Sequence, residues 1–233
     1  PLYLFDRNAF LDPQHPWSLD FFDDFYRNCP YWNVHNNNND DSSSNHNHGH
    51  DLLQHLGATQ RPDHTWIILG PKRSGSVFHL DPNATHAWNV SLKGRKRWIF
   101  YPPGIAPPGV HPSDDGDEVA LPLSVGEWLL QYWPEHVERS QCPTTPLAER
   151  PFECTAHPGD AVFVPHGWWH MVINLDGDYN LAMTHNYVSP SNLGNVLKFF
   201  SDRQDQISGC RDRAESIKPD KLHDVFVAAL KRK

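Results

Sequence analysis

Cysteine is scarce and scattered. Cys29, Cys142, Cys154 and Cys210 stand far apart with no C-x-x-C spacing, so the thiols read as reduced and intracellular, and neither a disulfide framework nor a zinc cage is expected. No apolar run approaches the ~18 residues that a helical bilayer crossing needs, which excludes a membrane-spanning helix. Basic excess is also missing. The formal charge of −8 gives no general attraction to nucleic acid, and no partner follows from charge alone. A start at Pro1 instead of methionine leads us to expect a fragment of a longer protein.

What the chain does have is aromatic and turn-rich. Nine tryptophans, twelve phenylalanines and 21 prolines in 233 residues favour strands and loops over a helical bundle, at a length that fits one large domain. Strand composition recurs at 1–6, 65–69, 77–80, 87–92, 95–101, 161–164, 168–175 and 181–188, broken by Gly, Pro and Asn turns. Helical patterns occupy 17–27, 124–133, 192–202 and 219–231, the second opened by Ser124 with Glu127 three residues on. Short strands crowded in this way predict a sandwich or jelly roll. The stretch 33–50 is polar and low in complexity, and its His46, His48 and His50 read as part of a solvated loop, as does the proline- and aspartate-rich 107–117.

The chemistry centres on Ser76-Val77-Phe78-His79-Leu80-Asp81-Pro82 and Gly167-Trp168-Trp169-His170. Side chains alternate along a strand, so His79 and Asp81 point the same way and reach one ion. His170, from a distant strand, makes a third ligand. Two histidines and a carboxylate on one side of a metal leave positions open, the arrangement of an oxidisable Fe(II) site. A lone H-x-D is more often a core histidine before a turn-opening aspartate, so the case rests on whether a co-substrate pocket surrounds it.

Such a pocket is legible. In 95–101, alternation puts Lys96 on the apolar face with Trp98 and Phe100, where an ammonium needs a counter-ion that the strand does not supply; a bound dicarboxylate would serve. The alternative is that Lys96 snorkels to the rim. Ala182, Thr184 and Asn186 share one strand face, and Ala87, Asn89 and Ser91 another, small and polar where a packed core prefers bulk. Thr184 is placed to donate to the same carboxylate as Lys96, and Asn89 to reach the metal-proximal end, with a purely structural hydrogen bond open for each.

The segments WIILGPKRSGSVFHLDPNATHAWN, GRKRWIFYPPG and PGDAVFVPHGWWHMVINLDGDYNLAMTHNYV resemble the jumonji C family of Fe(II)- and 2-oxoglutarate-dependent oxygenases. They look most like the branch of the protein once called the phosphatidylserine receptor and the F-box-linked jumonji proteins. The resemblance implies a mainly β fold, a double-stranded β-helix of the jelly-roll or cupin-like kind with flanking N-terminal and C-terminal helices. It would occupy residues 1–202, with a C-terminal helical extension at 203–233.

It further implies that His79, Asp81 and His170 hold Fe(II), and that Lys96 and Thr184 bind the distal carboxylate of 2-oxoglutarate with Asn89, Ser76 and Tyr3 nearby. O2 is the oxidant, and no catalytic side chain is implied beyond the metal ligands. The implied reaction is hydroxylation of a protein side chain, lysine or methyl-arginine, or demethylation through hydroxylation beside nitrogen, with RNA as a second substrate class. A nuclear or cytoplasmic location, a homodimer through the C-terminal helices and an F-box-type partner region outside this sequence complete the implication.

This sequence departs from the pattern at Ser76, where close relatives often carry threonine, and at His166, where a small residue is usual. Strict alternation sets Ser76 on the face opposite His79, so its place in the pocket requires a bulge or twist at Gly75. A cupin-type metalloprotein that does not use 2-oxoglutarate and a non-catalytic interaction module are the two rival readings.

Overall fold

A computed structural model of the chain describes residues 3–6, 51–114, 116–210 and 217–232. The helix expected at 17–27 and the polar loop at 33–50 lie outside the described residues. The chain divides into two compact units, Pro1–Phe5 with Ile67–Asn186 and Asp6–Trp66 with Tyr187–Lys233.

The strands are β1 (Leu4–Asp6), β2 (Thr65–Gly70), β3 (Gly75–His79), β4 (His86–Lys93), β5 (Lys96–Tyr101), β6 (His111–Pro112), β7 (Val119–Ala120), β8 (Phe152–Ala156), β9 (Ala161–Val164), β10 (Trp169–Asn174) and β11 (Asn180–Tyr187). One sheet runs β1-β2-β11-β4-β9 and the other β3-β10-β5-β8. From β2 to β5 successive strands alternate between these sheets, and from β8 to β11 they alternate again. That exchange is the double-stranded β-helix expected from the sequence, built here from antiparallel pairs.

Alternation explains why these strands bury both faces. On β5, Lys96, Trp98 and Phe100 take one side and Ile99 and Tyr101 the other. Trp98, Phe100, Ala87, Ala156, Val164 and Val172 form one buried cluster. Ile99 and Tyr101 join Phe78, Trp169, Met171 and Trp128 in a second. Trp128 belongs to α1 (Val125–Gln141), so this helix packs on the β3-β10-β5 sheet. Each large apolar side chain buried there is worth roughly 1.5–3 kcal/mol of transfer free energy.

Helix α1 starts as the sequence predicts, with Ser124 Oγ accepting from Glu127 N (3.1 Å) and Glu127 Oε2 accepting from Leu123 N (2.8 Å). It then runs through Pro134 to Gln141, beyond the expected end at 133. Pro134 removes one helical donor, but it and Leu130, whose carbonyl loses that partner, are solvent-exposed, so water replaces the bond. The short β6–β7 hairpin lies in and just beyond the stretch expected to be loop.

In the second unit, α2 (Leu193–Asp202) and α3 (Pro219–Lys231) pack through Val196, Phe200, Leu222 and Phe226, with the Phe200 and Phe226 rings 6.1 Å apart. A buried Asp51–Arg61 ion pair (2.6 Å) ties the turn at Leu52–Leu56, and Asp51 Oδ1 also accepts from Leu53 N and Val188 N. Among the described residues no helix is long and apolar enough to cross a membrane. Cys142 and Cys154 are free thiols.

Candidate metal centre and co-substrate pocket

His79 ends β3 and His170 lies directly opposite it on β10. Asp81 follows in extended backbone (φ −64°, ψ 142°), with the intervening Leu80 turned outward and 41% exposed. One ligand atom from each of His79, Asp81 and His170 falls within 4.8 Å of the others. The three residues that the sequence singled out as ligands thus converge.

The strand pair achieves this with an irregularity. His170 opposes His79 and Val172 opposes Ser76, so β3 carries an extra residue. Val77 and Phe78, consecutive in sequence, both pack on the helix-side cluster. Ser76 and His79 therefore return to the same side. The bulge that Ser76 required exists, between Ser76 and His79 and not at Gly75. Glycine is needed at position 75 because a Cβ there would land on the Val172 carbonyl.

Both imidazoles are oriented by the backbone. His79 Nδ1 donates to Val77 O (2.8 Å) and His170 Nδ1 to Trp168 O (3.1 Å), which fixes the proton on Nδ1 and leaves each Nε2 lone pair for a cation. The rings lie 4.1 Å apart. Burial, then the neighbouring His79 imidazole, pushes the pKa of His170 well down, so it is neutral. Trp98 and Phe100 stack on it at 6.0 and 6.1 Å.

Burial raises the Asp81 carboxyl to about 6, against the opposing pulls of His79 and of a hydrogen bond from Asn186. Asn186 Nδ2 also donates to Thr85 Oγ1 (2.8 Å), tying β11 to the turn after Asp81. Asp81 Oδ2 is sealed from solvent and has no hydrogen-bond partner among the described residues. A buried carboxylate oxygen left unpaired beside two imidazole lone pairs fits a divalent cation, and a donor set of two imidazoles and one carboxylate fits iron.

Lys96 is 1% exposed and does not snorkel. Its Nζ donates to Asn174 Oδ1 (2.8 Å), and among the described residues no carboxylate stands against it. Burial lowers its pKa to about 8. On the same strand face, Trp98 Nε1 is a second sealed donor, and among the described residues it has no hydrogen-bond partner. Two donors of this kind suit a ligand bearing oxygen acceptors.

Thr184 is buried, and its hydroxyl donates to Trp88 O (3.0 Å), so serving a carboxylate requires that hydroxyl to rotate. Asn89 is buried on β4, opposite Val162 of β9. Tyr3 hydrogen-bonds Ser76, and burial raises its phenol to about 12, so it remains a neutral donor. Asn174 and Asn186 were not assigned roles from the sequence. Their partners sit on other strands, at a register that periodicity within one strand does not reveal.

The family model for a cupin-like domain matches residues 20–192, and the chain belongs to that family. Within it the chain is of the jumonji C kind. It is similar to the arginine-specific demethylase JMJ22 of Arabidopsis thaliana, 45% identical over 77% of this chain and 33% of the relative. It also matches the bifunctional arginine demethylase and lysyl-hydroxylase psr-1 of Caenorhabditis elegans, 40% identical over 61% of this chain and 34% of that one. A third relative is the human 2-oxoglutarate and iron-dependent oxygenase JMJD4, 34% identical over 64% of this chain and 34% of the relative. The chain spans about a third of the length of each of these relatives.

Proposed function

We propose that this chain is the catalytic domain of an Fe(II)- and 2-oxoglutarate-dependent oxygenase that hydroxylates a protein side chain, or demethylates one through hydroxylation, with lysine and methyl-arginine as the target classes. The observation that carries this is the meeting of His79, Asp81 and His170, with a buried lysine on the same sheet that has no acidic partner among the described residues. Relatives named as arginine demethylase, lysyl-hydroxylase and 2-oxoglutarate and iron-dependent oxygenase support the same reading.

Iron and the 2-oxo acid, when bound with O2, supply the oxidising power; the protein binds and orients them. His79 and His170 offer Nε2 and Asp81 offers Oδ2 to the metal. Lys96 holds the distal carboxylate by charge, with Tyr3, Ser76, Thr184 and Asn89 as neutral hydrogen-bonding groups around the co-substrate. The Trp98 and Phe100 rings keep water from the His170 side and hold that imidazole in place. Neutral His170 and the sealed Asp81 oxygen present ready ligands to a cation.

A cupin-type metalloprotein working without a 2-oxo acid has no use for a buried uncompensated lysine, and Lys96 favours the oxygenase over it. A nuclear or cytoplasmic setting and self-association through the C-terminal helices belong to the same proposal, the latter checked by the mass of the protein in solution. The test of activity incubates the protein with Fe(II), 2-oxoglutarate and panels of lysine and methyl-arginine peptides. Succinate formation with gain of one oxygen marks a hydroxylase, and loss of a methyl group marks a demethylase. No succinate above an Asp81→Ala control across the panels refutes the proposal.

A further inference from the structure

We propose that Asn174 is a positioning residue for the co-substrate: it holds the Lys96 ammonium in the pocket with a neutral acceptor, so that the distal carboxylate of a 2-oxo diacid becomes the counter-ion. The inference rests on the co-substrate reading above and adds a residue to it.

The hydrogen bonds run in one direction. Lysine only donates, so Asn174 turns Oδ1 toward Lys96 Nζ (2.8 Å). Its Nδ2 then donates to Ser74 Oγ (2.9 Å), and Ser74 passes its own proton to Pro71 O (2.6 Å). Reversing the amide would set two donors face to face at Lys96. The relay is buried at Lys96, Asn174 and Ser74, which are 1%, 1% and 4% exposed.

The backbone fixes the relay in place. Lys96 and Asn174 are cross-strand partners at the end of the β5–β10 pair. Asn174 N donates to Ser74 O and Asn174 O accepts from Arg73 N, both at 2.8 Å. A Cβ at Gly70 would collide with Ser74 Oγ and the Tyr3 ring and press on Asn174 Nδ2 at 3.0 Å, so glycine makes room for the cluster. The nearest carboxylate along the chain, Asp176, is held by Arg95 Nε and Nη2 at 2.7 Å each, at an exposed edge.

Every acceptor in the relay is neutral, so among the described residues the lysine charge stays uncompensated. A buried cation in that condition takes an anion when one is offered. An aspartate at position 174 would have nearly the same shape and would cancel the charge from within. That single-atom difference separates positioning from simple packing.

The experiment measures binding of two acids to the Fe(II)-loaded protein without oxygen, by calorimetry: 2-oxoglutarate, and 2-oxopentanoate, which has the same chain length and no distal carboxylate. Asn174→Asp is expected to weaken 2-oxoglutarate by about 30-fold and leave 2-oxopentanoate within about two-fold. Ser74→Ala, which frees the Asn174 amide to turn, is expected to weaken 2-oxoglutarate by about five-fold with the same selectivity. It decides the matter if Asn174→Asp does not fold. Equal weakening of both acids, or no weakening of either, overturns the role given to Asn174 while the co-substrate reading stands. Wild-type protein that binds neither acid overturns the co-substrate reading and this inference with it.

Discussion

Replacing Lys96 by methionine should stabilise the protein at neutral pH. The folded pKa of about 8 lies well under the ordinary lysine value of 10.5, so burial disfavours the charged form by ~3 kcal/mol. Because the folded pKa is lowered, the unfolded chain binds more protons between pH 8 and 10.5. The penalty is therefore fully present below pH 8 and is relieved as pH rises through that window. Methionine keeps most of the apolar stem and removes the ammonium, leaving Asn174 Oδ1 without its donor at a loss of about 1 kcal/mol.

The net gain at pH 7 is roughly 2 kcal/mol, or about 4–8 °C in Tm for a chain of this size. Urea denaturation at pH 7 and pH 10 reads it directly, with the variant ahead at pH 7 and the two proteins converging at pH 10. The same substitution should abolish 2-oxoglutarate binding, and in the wild type that affinity should fall about tenfold per pH unit above 8 as Lys96 loses its proton. A methionine variant less stable than wild type at pH 7, with an unchanged pH profile, refutes the assignment of Lys96 as a buried, uncompensated cation.

Elsewhere in the chain, Tyr101→Phe removes the hydrogen bond to His136 Nδ1 (2.8 Å) inside the helix-side cluster, where His136 is 0% exposed and also pairs with Glu153. We expect a loss of about 1–2 kcal/mol by urea denaturation with iron binding unchanged, and a neutral result contradicts the bond's contribution. Gly75→Ala should prevent β3 from pairing with β10, since the new methyl lands on Val172 O. Soluble protein with a wild-type Tm and intact iron binding is the outcome that rules this out.

Most of the strands were legible because they depend on local periodicity, whereas His170 joined His79 and Asp81 through the family resemblance. His79 and Asp81 share a side through alternation, and the apolar face of β5 marks Lys96 as anomalous before any fold is known. Pairing was less accessible. The place of the bulge on β3 follows from its register against β10, and so does the meeting of Lys96 with Asn174. Strand β8 escaped notice because Phe152–Ala156 holds a glutamate and a cysteine that look unremarkable until Arg97 pairs with Glu153 and the Cys154 position opposes Trp98. Helix α1 runs past its expected end because the bond lost at Pro134 faces water, where a proline is tolerated.

The central claim is that His79, Asp81 and His170 form one iron site. Anaerobic titration of Fe(II) into the wild-type protein and into Asp81→Ala and His170→Ala tests it most directly. The account predicts one tightly bound iron per chain in the wild type and none in either variant at the same concentration. Equal iron binding by all three proteins contradicts it.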